Sequence, residues 1–158
     1  MKGFLLLLFV VASATAFAQN TEADVLKAMG RNSKPEKGDA QIIVQSQNNF
    51  VEIAKQLMLI GYTVDKLDTT LNYLTTVPRG IPGINGEYYL NIMKIGDQYK
   101  FVGMYRFNFT ATLAGISSAK GAYEPARYHK SAGHAETRVF NATLEASKNT
   151  GEVIDIMK

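Results

Sequence analysis

The two histidines of the chain, His129 and His134, are the first groups to weigh for acid–base or metal chemistry. Their pattern is His-x-x-x-x-His, one residue longer than the i, i+4 pair that puts two imidazoles on one helical face around zinc. Glu124 or Glu136 could complete a site with them if the fold brought in further groups. A histidine used as a base would make the chain a hydrolase, although no substrate follows from the residues. Two surface histidines in a loop is the simpler reading. Cysteine is absent, which excludes thiol nucleophiles and thiolate metal sites. The chain has neither a G-x-S-x-G elbow nor a G-x-x-x-x-G-K-[ST] phosphate loop. Gly80-Ile81-Pro82-Gly83-Ile84-Asn85-Gly86 is glycine-rich but lacks the lysine, and it runs from a strand into a hairpin. Asp65 and Asp68 flank a turn and need no catalytic explanation. No catalytic residue, metal or cofactor is therefore assigned.

Contact chemistry is more plentiful. A long irregular stretch, 111–133, gathers Lys120, Tyr123, Arg127, Tyr128, His129 and Lys130, with Arg138 just beyond. Structureless loops longer than about 15 residues are uncommon in compact domains and often functional. Tyrosine and arginine are typical of contact patches, and a basic loop also suits an anionic ligand. Three triplets resemble modification signals. Asn108-Phe109-Thr110 and Asn141-Ala142-Thr143 fall in an expected strand and an expected helix, and Asp68-Thr69-Thr70 has the form of a bacterial O-glycosylation acceptor.

The elements that must position these groups follow from periodicity. Residues 40–46, with Ile42-Ile43-Val44, read as a first strand. Phe50, Ile53, Ala54, Leu57, Met58 and Ile60 fall near helical spacing and form one stripe. Asn48 or Asn49 caps that helix, Glu52 suits its first turn and Gly61 closes it. Tyr62-Thr63-Val64 and residues 72–77 read as strands around an Asp68-Thr69-Thr70 turn, and Pro78 ends the second.

Residues 87–110 form a hairpin about Gly96-Asp97, in a turn of type II′ or I′. That register sets Tyr88 opposite Tyr105, Leu90 opposite Gly103 and Ile92 opposite Phe101, a core face extended by Phe107 and Phe109. The other face sets Tyr89, Asn91, Met93 and Ile95 against Met104, Val102, Lys100 and Gln98. It is too apolar for a wholly solvated surface, so either a second layer covers it or it makes contacts. Tyr89, Met93, Val102 and Met104 are its candidate contact residues. Residues 134–148 read as a second helix on their Ala, Glu and Leu content, although Phe140, Ala142, Leu144 and Ala146 also alternate. Val153, Ile154 and Ile156 close the chain as a strand.

The order β-α-β-β-β-β-α-β implies an α+β domain, an antiparallel sheet with two helices packed on one face. Its expected limits are 40–158, behind an arm or short helix at 19–39. Ahead of these, Lys2, the apolar run 4–12 and Ala16-Phe17-Ala18 have the three parts of a cleavable signal peptide, 1–18. The apolar run is about half the ~20 residues needed to span a bilayer, and without cysteine no lipid anchor is expected. Cleavage leaves 140 residues (158 − 18) and lowers the formal charge from +3 to +2 by removing Lys2. So small a charge, mixed in sign along the chain, argues against nucleic acid as a partner.

Gly61-Tyr62-Thr63-Val64-Asp65, a turn, and Tyr73-Leu74-Thr75-Thr76-Val77-Pro78 resemble small bacterial envelope proteins of TBP-like or helix-grip fold, such as the repeat domains of the BamC lipoprotein. The likeness covers roughly 40–110, and the lipid-anchor cysteine of that lipoprotein is missing here. It implies an envelope binding or assembly role without catalytic residues. The leading expectation is therefore a periplasmic or secreted scaffold that meets a protein partner. An alternative is a small apolar or anionic ligand held between helix and sheet beside Phe101, Tyr105 and Phe107, and a histidine hydrolase comes third.

Overall fold

Alternation of apolar residues builds the centre of the molecule. In the computed structural model, which describes residues 34–108 and 121–158, β5 (Gly86–Ile95) and β6 (Gln98–Phe107) pair antiparallel along their whole length. The register is the expected one: Tyr88 faces Tyr105, Leu90 faces Gly103 and Ile92 faces Phe101. Gly96 has φ +60° while Asp97 stays outside the left-handed region, which makes the turn type II′. Tyr88, Leu90, Ile92, Tyr99, Phe101 and Tyr105 are all buried on one face. The expected signal segment 1–18, residues 19–33 of the expected arm, and residues 109–120 (Phe109 and Lys120 among them) lie outside the described residues.

Around this hairpin the sheet grows in both directions, in the order β2-β3-β5-β6-β1-β8 with every pairing antiparallel. On one side lie β3 (Tyr73–Thr76) and β2 (Val64–Asp68); on the other lie β1 (Gln41–Gln45) and β8 (Glu152–Met157). Ile42, Val44 and Ile156 add to the buried face. The turn between β2 and β3 is held by Asp68, whose Oδ1 accepts from the backbone N–H groups of Thr70 and Leu71, and by Asn72 at φ 55°.

Helix α1 (Phe50–Leu59) starts at a capping box, in which Asn49 and Glu52 bond each other's backbone N–H, and ends at Gly61 with φ +86°. Phe50 meets the Tyr99 ring edge-on at 5.2 Å. Helix α2 (Ala135–Lys148) lies on the same face of the sheet, over Gly103. There a Cβ on Gly103 would strike Thr143 Oγ1 and come within 2.9 Å of Val139 Cγ1, so only a glycine lets the helix approach so closely. The described residues thus form an α+β domain, an open antiparallel sheet of eight strands with two helices.

Four expectations are corrected. The apolar stripe of α1 is narrower than its spacing implied: Met58 and Ile60 are 60% and 37% exposed. Met58 lies about 100° round the cylinder from Leu57, and Ile60 is already the C-cap. The strand expected at 62–64 begins only at Val64, because Tyr62 turns inward and its hydroxyl meets that of Tyr88 at 3.2 Å. Two short strands were not expected, β4 (Arg79–Gly80) beside β5 and β7 (Glu124–Pro125) beside β6. The order becomes β-α-β-β-β-β-β-β-α-β, since a two-residue strand carries no readable period. The stretch 111–133 is for the same reason not structureless throughout. Among the described residues, no helix is long and apolar enough to cross a membrane.

Candidate functional site

Strand alternation that buries one face of the hairpin must turn the other outward. Both helices lie on the first face, so no described helix covers the second. Tyr89, Val102 and Met104 are half-buried there, while Met93 and Ile95 are 40% and 53% exposed. Tyr89 pairs with Met104, Asn91 with Val102 and Met93 with Lys100, so the apolar residues cross both strands as a band. Next door, β3 contributes Tyr73 and Thr75, which pair with Met93 and Asn91. Lys66 of β2 pairs with Thr75 in turn.

Tyr123 joins this face from the far side of the chain. Its ring stands edge-on to Tyr89 at 4.8 Å, and its hydroxyl donates to Glu87 Oε1 at 2.8 Å. The Arg106 guanidinium lies 4.2 Å from the centre of the same ring and is paired with Glu87. Burial, then the hydrogen bond to the Glu87 carboxylate, pushes the Tyr123 phenol up to about 12. These contacts tie Tyr123 of the long loop to the mixed face of the hairpin. Beside them runs a shallow groove of about 240 Å³, lined by Asp65, Lys66, Tyr73, Thr75, Tyr89 and Tyr123. Two polar atoms of neighbouring strands, Thr75 Oγ1 and Asn91 Oδ1, are buried on this face without a hydrogen-bond partner among the described residues.

The other loop candidates go elsewhere. After β7, the Ala126 N–H donates to Gly103 O, and the chain passes along the edge of β6 towards α2. Tyr128 packs its ring on Phe140 and exchanges backbone hydrogen bonds with Gly38 and Asp39. His129 is anchored twice: its backbone to the Thr137 hydroxyl, and its Nε2 to Glu136 Oε2 at 3.0 Å. Glu136 also accepts from the Tyr105 hydroxyl at 2.9 Å and the Arg127 N–H at 3.4 Å, and His134 stacks on His129 at 5.0 Å. Burial works to raise the Glu136 carboxyl, but the hydrogen bonds from His129 and Tyr105 outweigh it and hold it below its ordinary value. Tyr105 is raised by burial and by the same bond. Lys130 and the Arg127 side chain are exposed.

Chemically, Glu136 has both oxygens occupied in fastening residues 127–129 and β6 to the first turn of α2. No hydroxyl bonds the His129 ring among the described residues, and no group of three or more His, Asp or Glu there is placed to hold a metal ion. The helix–sheet boundary holds a cleft of about 310 Å³, lined by Ile81, Pro82, Tyr88, Val139 and Ala142 with Arg138 at its side. Phe101, Tyr105 and Phe107 do not line it; Phe101 is wholly enclosed in the core. Of the modification triplets, Asn141-Ala142-Thr143 sits within α2 with Thr143 buried, and Thr69 is exposed in its turn.

Glu87, Arg106, Tyr73 and Thr75 belong to this face and carried no motif. Alternation alone could have placed the first two beside Tyr89 and Met104, but their meeting with Tyr123 is tertiary. No protein-family model, curated protein or solved structure matches the chain.

Proposed function

We propose that the chain is a non-catalytic binding domain of the bacterial cell envelope, exported by its N-terminal signal and meeting a protein partner through the open face of its sheet. One observation carries the reading: Tyr123 packs edge-on against Tyr89, so a loop residue and the hairpin band picked out independently form one surface. Along that surface Met93 and Ile95 are exposed next to half-buried Val102 and Met104. Aromatic and methionine side chains are the ones enriched at the cores of protein interfaces. A helix-grip fold of the TBP-like kind, as in BamC-like envelope domains, is the finer classification that the two helices on one face of an antiparallel sheet support. The mature protein in this reading is periplasmic or secreted.

The test is site-specific photo-cross-linking in intact cells of the producing bacterium. A photoreactive residue at Ile95 should trap one defined adduct, and the same residue at Leu59, on the outer side of α1, should not. Met93→Asp should remove the adduct, because a charge in the band must be desolvated on contact. No adduct at Ile95, or an equal one at Leu59, sinks the proposal.

A further inference from the structure

Of the three modification-type triplets, only Asp68-Thr69-Thr70 stands on an exposed turn of the described structure. Asn141-Ala142-Thr143 is wound into α2, where Thr143 is 1% exposed and its hydroxyl donates to Val139 O at 2.8 Å. Asn108 opens a triplet whose other two residues lie outside the described residues, and its own Oδ1 is buried. Thr69 differs from both. It follows β2 directly, it is exposed, and its hydroxyl makes no hydrogen bond among the described residues. Asp68 sets that presentation: its Oδ1 accepts from the N–H groups of Thr70 at 2.9 Å and Leu71 at 2.8 Å, and Asn72 at φ 55° closes the turn. An aspartate bonded to the backbone two and three residues on folds the chain between into a tight turn. The Asp of the triplet is thus the group that builds the turn on which Thr69 is offered.

The surroundings of Thr69 restrict what it can carry. Phosphate would set roughly two negative charges beside the Asp68 carboxylate, a like-charge clash. A sugar adds no charge. It also suits the neighbourhood. Strand β2 is outermost on this side of the sheet, with β3 as its only partner among the described strands. Leu71, inside the turn, is 73% exposed, and Leu67, just before it, is 40% exposed. An outer strand flanked by exposed leucines invites pairing with another chain, and folds blunt such edges with charge or bulk. Asp65 and Lys66 supply exposed charge along the strand, but residues 69–72 carry none. A glycan on Thr69 would be the bulky, hydrated group at that end.

We infer that Thr69 is an O-glycosylation site, an inference that shares with the proposed function only the bacterial origin of the chain. In the transfer, Thr69 Oγ1 attacks the anomeric carbon of a diphosphate-activated sugar held by a bacterial transferase. The new C–O bond forms as the bond to the diphosphate breaks. The diphosphate leaves with the electron pair, and the hydroxyl proton passes to a base of the transferase. The test is mass spectrometry of the protein purified from the bacterium that produces it. Its intact mass should exceed the sequence mass by a whole number of sugar residues. After trypsin the increment should fall on peptide 67–79, and electron-transfer fragmentation should place it on Thr69. Thr69→Ala should abolish the increment and fold as before, because the hydroxyl it removes bonds nothing among the described residues. Thr70→Ala keeps Asp-Thr followed by a small residue and should keep the increment. An unmodified intact mass, an increment outside 67–79, or one that survives Thr69→Ala overturns the inference. The same spectrum reads whether the chain begins at Gln19, so failed export is told apart from missing glycosylation. Thr69 lies outside the band of Met93 and Ile95, and the cross-link at Ile95 stands or falls separately.

Discussion

Glu136 illustrates how a residue that looks catalytic becomes structural once its neighbours are known. In α2's first turn it gains from the helix dipole, and it collects hydrogen bonds from Tyr105, His129 and the Arg127 backbone. Removing it leaves the largely buried Tyr105 hydroxyl without an acceptor. Glu136→Ala should therefore cost about 1–3 kcal/mol in urea denaturation at neutral pH. The carboxyl ionises more readily in the folded chain than in the unfolded one. Its stabilising contribution is thus complete above the unfolded value and is lost as pH falls through the lowered folded value. Acid denaturation followed by circular dichroism should show a shallower loss below the ordinary carboxylate range for Glu136→Gln than for the parent. Tyr123 obeys the same physics on the opposite face: its role follows from Glu87, Tyr89 and Arg106, none of which is near it in sequence.

Among the elements, those with a period were legible and those without one were not. The hairpin register, the Asn49 cap and the left-handed Gly61 all follow from local chemistry, and the structure has each of them. The helix at 134–148 was ambiguous in its alternation, and its packing explains why it is a helix. Val139, Phe140, Thr143 and Ala146 come to one side only at helical spacing, and that side meets β6 at Gly103. Gly103→Ala should destabilise the fold by at least about 1–3 kcal/mol, the usual cost of overpacking a filled core. Adding Thr143→Ala to the same chain removes one of the atoms struck and should recover part of the loss. Two residues in contact are expected to be non-additive in this way, and denaturation midpoints of the double-mutant cycle measure it. By contrast β4 and β7, two residues each, exist because β5 and β6 offer them an edge. Nothing in Arg79-Gly80 or Glu124-Pro125 specifies a strand locally.

For the molecule as a whole, the placement of β1 is the decisive event. It sits between β6 and β8, strands from the middle and the end of the chain, and so joins residues far apart in sequence. Ile42 and Val44 are fully buried there, and Ile156 of β8 is 3% exposed against them. A chain ending at Gly151 would leave one long edge of β1 unpaired and uncover part of its core. It should lose the cooperative thermal transition expected of the full chain, as circular dichroism of the two chains would show. The amino-acid sequence by itself determined the α+β class, the hairpin and its register, the helix at Phe50–Leu59 and the absence of thiol chemistry. These rest on periodicity, turn residues and composition, which act within a few residues of chain. Only the tertiary structure decided which candidate residues share a surface. It set Tyr123 against Tyr89 beside a groove lined by Thr75, and it sent His129 to Glu136 on the other side. The physical reason is that β7 runs along the edge of β6 and carries the loop from one face of the sheet to the other, a path set by long-range pairing.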